Sequence, residues 1–321
     1  MNRKKYVQQF LNWRERCYSL YVSYGKYAGF LMRFGINILV LALLAHFFEY
    51  QPSLSHPGLL VGMAIVGACL PAALQVLIFC MYAMLQICFL SPILTGMMAV
   101  WCIILYIMCL RYAKESILLF VLVPIAILCK IPLFPAIVGG LFFSPSCVLT
   151  VAGGVVMYDL LLAVKQCEPL VAQKTGPLAL FEQAMDAVVE NQEMGLLLAG
   201  LCVITILVYA LRTRKINYAF EAGICFAVVF YVIILLIGAL VLSCKISLVA
   251  VWLGALLSGV LAFVVHWCHM VLDYEAVEDV QFEDEHYYYY VHAVPKLYPE
   301  EKPADKQKTG NSQNMWNVKI K

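Results

Sequence analysis

Apolar residues dominate from Leu59 to Trp267, and prolines and a few charge clusters set their rhythm. An apolar run of about 18 or more residues predicts a membrane-spanning helix, because backbone polar groups in lipid must pair within their own segment. A first span is predicted near 30–48. From Leu59 to Leu110 there is no Lys, Arg, Asp or Glu, and Pro71 and Pro92 divide the stretch into 59–70, 72–90 and 93–110. The residue before a proline is pushed out of the helical region, so both prolines mark breaks. A second triplet follows: 116–129 with Pro124, then 132–143 with Pro132, Pro135 and Gly139-Gly140, then 147–164. Three further spans are predicted at 194–211, 218–242 and 248–271.

The pattern predicts an all-α polytopic membrane protein of about 8–10 transmembrane helices. The lower count applies if 116–143 is a re-entrant hairpin, the higher if both its segments cross. The two triplets, 59–110 and 116–164, would enter the membrane in opposite senses. Paired short segments broken by Gly and Pro point to inverted repeats around a mid-membrane site.

Outside the spans the pattern changes. Residues 1–29 hold a basic, aromatic stretch in which Val7, Phe10, Leu11, Cys17, Tyr18 and Tyr21 recur at helical spacing, as in an amphipathic helix on an anionic membrane face. The loop 165–193 is acidic on balance. Within it Pro177 can open a helix with Leu180, Phe181, Ala184, Met185, Val188 and Val189 on one face and Glu182, Asp186 and Glu190 on another. In the tail, 272–298, Val and Tyr favour strands around Glu283-Asp284-Glu285, which predicts a β-hairpin from 279–283 and 287–294. A lone hairpin is marginal in water, so Val280, Phe282, Tyr287, Tyr288, Tyr289, Tyr290 and Val291 are candidates for docking a cytoplasmic partner or the protein's own inner face. Residues 299–321 are polar and predicted to be disordered.

Composition supports the membrane reading. Hydrophobic residues make up 63% and charged residues 13% of the 321-residue chain, with a mean hydropathy of +0.84. Soluble domains carry about 25% charged residues. The net charge of +2 matters less than its placement. Lys and Arg outnumber acids ahead of the first span, and Arg111, Lys114, Arg212, Arg214 and Lys215 mark later basic turns. By the positive-inside rule both termini are expected to be cytoplasmic, in the plasma membrane, with the first span as its own insertion signal.

Candidate chemistry is sparse. The thirteen cysteines show no C-x-x-C spacing, so neither a zinc site nor a redox motif is predicted, and they read as small buried hydrophobes. Ionisable groups inside spans are costly and mark function by default. Lys130, at a predicted break, and Asp159, late in its span, form the candidate intramembrane polar site, either as a pair or as two helix-end residues. His266, His269 and Asp273 share a helix face at i, i+3, i+7 and are a weak candidate for metal or proton binding; interface-seated histidines are the plainer reading. No Walker A loop, G-x-S-x-G or H-E-x-x-H occurs, and no catalytic residue, cofactor or nucleic-acid partner is predicted.

The tail also carries a resemblance. Asp273-Tyr274, Val280-Gln281-Phe282-Glu283-Asp284, Tyr287 to Tyr290 and Ala293-Val294-Pro295-Lys296 resemble the C-terminal VQFEDxxYYYYVxAVPK motif of a family of polytopic membrane proteins from anaerobic Gram-positive bacteria. Similarity extends to the Arg212–Tyr218 loop and Asn191-Gln192-Glu193-Met194. Members are labelled hypothetical proteins or ABC transporter permeases, and the resemblance implies a multi-pass permease-like protein. His286 and His292 depart from the acidic residue and lysine of the motif. Three functions remain in view: a transport subunit for a small solute, a non-catalytic envelope scaffold, and an intramembrane lipid enzyme for which no nucleophile–base pair can be named.

Overall fold

The computed structural model describes residues 29–31, 33–172, 176–214, 219–242, 247–273, 278–283 and 288–293; beyond 266 only the backbone is described. The predicted N-terminal amphipathic helix and the polar end, 299–321, lie outside these residues. Two units divide at His266. The first holds α1 (Gly29–Phe48), α2 (Pro57–Cys69), α3 (Ala72–Leu90), α4 (Pro92–Tyr112), α5 (Leu119–Leu128), α6 (Leu133–Phe142), α7 (Cys147–Gln166), α8 (Glu168–Ala172), α9 (Pro177–Val189), α10 (Gln192–Arg212), α11 (Ala219–Leu242) and most of α12 (Leu248–Asp273). Among the described residues seven helices are long and apolar enough to cross a membrane: α1, α3, α4, α7, α10, α11 and α12. The chain is an integral, multi-pass membrane protein by that measure.

Prolines punctuate the bundle as the sequence predicts. Pro57, Pro92 and Pro177 sit in the first turns of α2, α4 and α9, where a missing N–H is harmless. Leu70, Pro71 and Ser91 are extended and separate α2, α3 and α4.

Side-chain contacts fix the direction of each helix. The side on which α1 begins is called the near side. Gln75 of α3 donates to Asn37 of α1, and Gln86 accepts from the Gln51 N–H just past the end of α1 (3.2 Å), so α1 and α3 run parallel. Asn37 also donates to the Ala64 carbonyl of α2 (3.3 Å), while Gln86 reaches Ser55 just before α2 (3.3 Å). Helices α2 and α3 therefore form a hairpin inserted from the far side. Tyr106 of α4 donates to the Ala73 carbonyl (2.9 Å) and brings the chain back to the near side. There Ser116 meets Thr150 at the start of α7 (3.2 Å), and Arg212 at the end of α10 donates to the Phe143 carbonyl that closes α6 (3.3 Å). Helices α5 and α6 thus enter from the near side and return to it. At the far side Lys165 of α7 donates to the Phe47 carbonyl (3.2 Å).

This packing corrects the ten-crossing reading. Segments α5 and α6 have ten residues each. At 1.5 Å per residue that is about 15 Å, half the hydrocarbon thickness. They form a half-depth hairpin. Helix α6 closes on α10 at Gly140, where an added Cβ would lie 2.8 Å from the Thr205 carbonyl oxygen. Only a residue without a side chain admits that approach.

Two apolar cores share α5 and α7. One gathers α1 to α5 with α7 and the Ala184 face of α9; the other gathers α5, α6, α7 and α10 to α12. Outward-facing Leu240, Val241, Leu253 and Val260 form the apolar exterior that lipid would cover. Leu180 and Ala184 of α9 are buried, whereas Leu178, Phe181 and Val189 are exposed, so only part of its predicted apolar face packs on the bundle.

The second unit begins at Trp267. Its described backbone pairs Glu278–Glu283 with Tyr288–Ala293 antiparallel, Val280 opposite Val291 and Phe282 opposite Tyr289.

Candidate functional site

The turn of the α5–α6 hairpin is the chemically richest point of the bundle. Helix α5 ends in two closing hydrogen bonds: Ile131 N–H to the Ala126 carbonyl (2.8 Å) and Lys130 N–H to the Ile127 carbonyl (3.0 Å). This pair is a Schellman cap, whose penultimate position adopts left-handed backbone and usually holds glycine. Here that position is Lys130, with φ of 62°, the one non-glycine residue with positive φ among the described residues. Left-handed backbone costs a residue with a Cβ about 1–2 kcal/mol. The ammonium stands beyond the carbonyl end of α5, where the helix dipole favours a cation.

The turn lies deep. An added Cβ on Gly254 of α12 would collide with the Lys130 carbonyl oxygen. Gly254 is about 9 Å along the axis from Leu248 at the far end of α12 and about 18 Å from His266 near the other. Lys130 therefore sits past the midpoint of α12's membrane stretch, nearer the far side than the side its hairpin enters.

Lys130 is exposed, and a cavity of about 280 Å³ reaches it. Tyr158 of α7 and Tyr231 of α11 line the sides; Ser247 and Glu193, at the starts of α12 and α10, stand toward the far side. Met194 and Val251 add apolar wall. A second, mainly apolar void lies between α1, α3, α5 and α7 near Phe79, Phe120 and Met157, and no polar surface lines it.

The other candidate, Asp159, is buried one residue from Tyr158. Its Oδ1 accepts from Asn191 Nδ2 at 2.7 Å, and Asn191 Oδ1 in turn accepts the Met194 N–H (3.3 Å) and caps α10. Among the described residues no ion pair joins Lys130 to Asp159 or to Glu193. Asp159 thus tethers α7 to α10, and Lys130 faces the cavity.

His266 is buried at the near side, its ring stacked on Phe220 (centroids 5.0 Å apart) and its Nε2 3.7 Å from a Glu221 oxygen. Neither ring nitrogen has a hydrogen-bond partner. The side chains of His269 and Asp273 lie outside the described residues, as do those of Val280, Phe282, Tyr287, Tyr288, Tyr289, Tyr290 and Val291. Among the described residues no three His, Cys, Asp or Glu side chains group as a metal site.

Sequence reasoning reached Lys130 through its intramembrane charge. It missed Glu193, Tyr231 and Gly254 as its neighbours, because they come from three other helices and only tertiary packing joins them. It also passed over the amides: Asn37 and Gln75, isolated polar residues in apolar runs, bond each other, and Gln86 bonds Gln51, Ser55 and Tyr82. No protein-family model, no curated protein and no solved structure matches the chain.

Proposed function

We propose that this chain is a transporter, or the permease-type subunit of one, for a small solute, and that the Lys130 cavity is its solute site. The observation that carries the reading is the strained lysine at the turn of a half-depth hairpin, open to a cavity. Strained backbone clusters at functional sites, where the surrounding fold over-determines it. Broken helices whose ends meet inside the membrane are how transporters present helix dipoles and a charge to a solute. The opposed insertion of α2–α3 and α5–α6 supports an inverted-repeat arrangement around that site. Arg33, Arg111, Lys114, Arg212 and Arg214, with the acids Glu115 and Glu221, lie at near-side helix ends, whereas Glu49, Glu168, Glu182, Asp186, Glu190 and Glu193, with Lys165, lie on the far side. That asymmetry supports a plasma-membrane protein with its near side and termini in the cytoplasm.

The test is flux. Proteoliposomes holding the full chain are loaded with a mixture of labelled amino acids, organic acids and amines, and efflux is followed. Release that needs the protein and is lost in Lys130→Gln supports the reading. Equal release from wild type and Lys130→Gln would reject the site.

A second reading has one observation in its favour. The paired tail segments Glu278–Glu283 and Tyr288–Ala293 fall in a unit of their own, as a docking module of an envelope scaffold would. Co-purification with and without 279–296 tests it, and unchanged partners on deletion would reject the docking role.

A further inference from the structure

We infer that the occupant of the Lys130 cavity is a small zwitterion with a short aliphatic body, an amino-acid-like solute; this rests on reading the cavity as a solute site. The cavity is lined by one ammonium, Lys130, and one carboxylate, Glu193, brought by different elements. Both residues are exposed, and no ion pair joins them. Each charge is therefore available to a ligand. They differ in depth: Lys130 is at the hairpin turn, level with Gly254, while Glu193 is the second residue of α10, at the far side.

A solute carrying only an anion would satisfy Lys130 and face the repulsion of Glu193. A solute carrying only a cation would meet the converse. A zwitterion makes a charge-assisted hydrogen bond at each end and leaves no net charge on a site that lies within lipid depth. Met194 and Val251 supply apolar wall for the aliphatic body. The volume of about 280 Å³ is at the small end for ligand sites, which suits a small solute.

The experiment uses the purified full chain in nanodiscs and three matched probes: leucine, 4-methylpentanoate, which lacks the ammonium, and 3-methylbutylamine, which lacks the carboxylate. Calorimetric titration should show leucine binding and each truncated probe weaker by about ten-fold or more, the usual consequence of losing one charge-assisted hydrogen bond. Glu193→Gln should erase the preference for leucine over 4-methylpentanoate, and Lys130→Gln should abolish binding of both. Monodisperse elution of each variant checks that it is folded. If 4-methylpentanoate binds as tightly as leucine and Lys130→Gln removes it, the zwitterion is overturned and the solute site stands. If no probe binds and the proteoliposomes show no Lys130-dependent efflux, both fall.

Discussion

The left-handed backbone at Lys130 makes an unusual prediction about glycine. Compare Lys130→Gly with Lys130→Ala. Both remove the ammonium, and with it any gain from the α5 dipole, so that contribution cancels. What differs is the Cβ at φ of 62°. A residue with a Cβ costs about 1–2 kcal/mol more than glycine in this conformation, and glycine returns about 0.5–1 kcal/mol through its freer unfolded state. Lys130→Gly should therefore be the more stable of the two by about 1 kcal/mol, close to five-fold in the unfolding equilibrium. Reversible unfolding in mixed micelles with increasing SDS, followed by tryptophan fluorescence, reads the difference. Both variants should lose Lys130-dependent efflux. A glycine variant that is inactive yet more stable than alanine would mean the lysine is held there against conformational preference. Equal stability, or an alanine variant more stable than glycine, would refute the left-handed turn and with it the strain argument.

Other consequences follow from the same packing. Gly254→Ala should push α12 from the Lys130 carbonyl, destabilise by about 1–3 kcal/mol as an overpacked contact does, and weaken solute binding; a variant with native stability and affinity would contradict that close approach. Asn191→Ala removes both the cap of α10 and the partner of Asp159, and should cost about 1–2 kcal/mol in the same unfolding assay. Asp159→Asn in that background should recover part of the loss, because a neutral amide there is cheaper to bury without a partner. Gln75→Leu should loosen the packing of α3 on α1 by about 0.6–1.7 kcal/mol, the range for hydrogen bonds between membrane helices, with efflux retained.

Much of the fold was legible as local sequence. Pro71 and Pro92 mark the breaks around α3 because proline acts on its own neighbours, wherever the rest of the chain lies. Pro177 and the spacing of Leu180 and Ala184 placed α9 in the same way. The fate of 116–143 was not legible. Two apolar arms separated by Lys130 can cross or turn back, and the choice depends on Gly140 reaching α10 and Arg212 reaching Phe143. Those contacts join residues dozens of positions apart. The site was half legible: a charge inside an apolar run announces itself, whereas Glu193 reads as one more acid in an acidic loop until α10 brings it to the cavity. The tail remains where the sequence left it, a β-prone segment whose partner, if it has one, is a matter for co-purification.

The most direct test concerns where Lys130 stands. Lys130→Cys is labelled in oriented membrane vesicles with a membrane-impermeant thiol reagent, applied to each side in turn, and peptide mapping separates this site from the native cysteines. The account predicts that labelling from the extracytoplasmic side is the faster, and that a bound solute such as leucine slows it. Faster labelling from the cytoplasmic side, or none from either side, would contradict a hairpin that enters from one face and presents its lysine to the other.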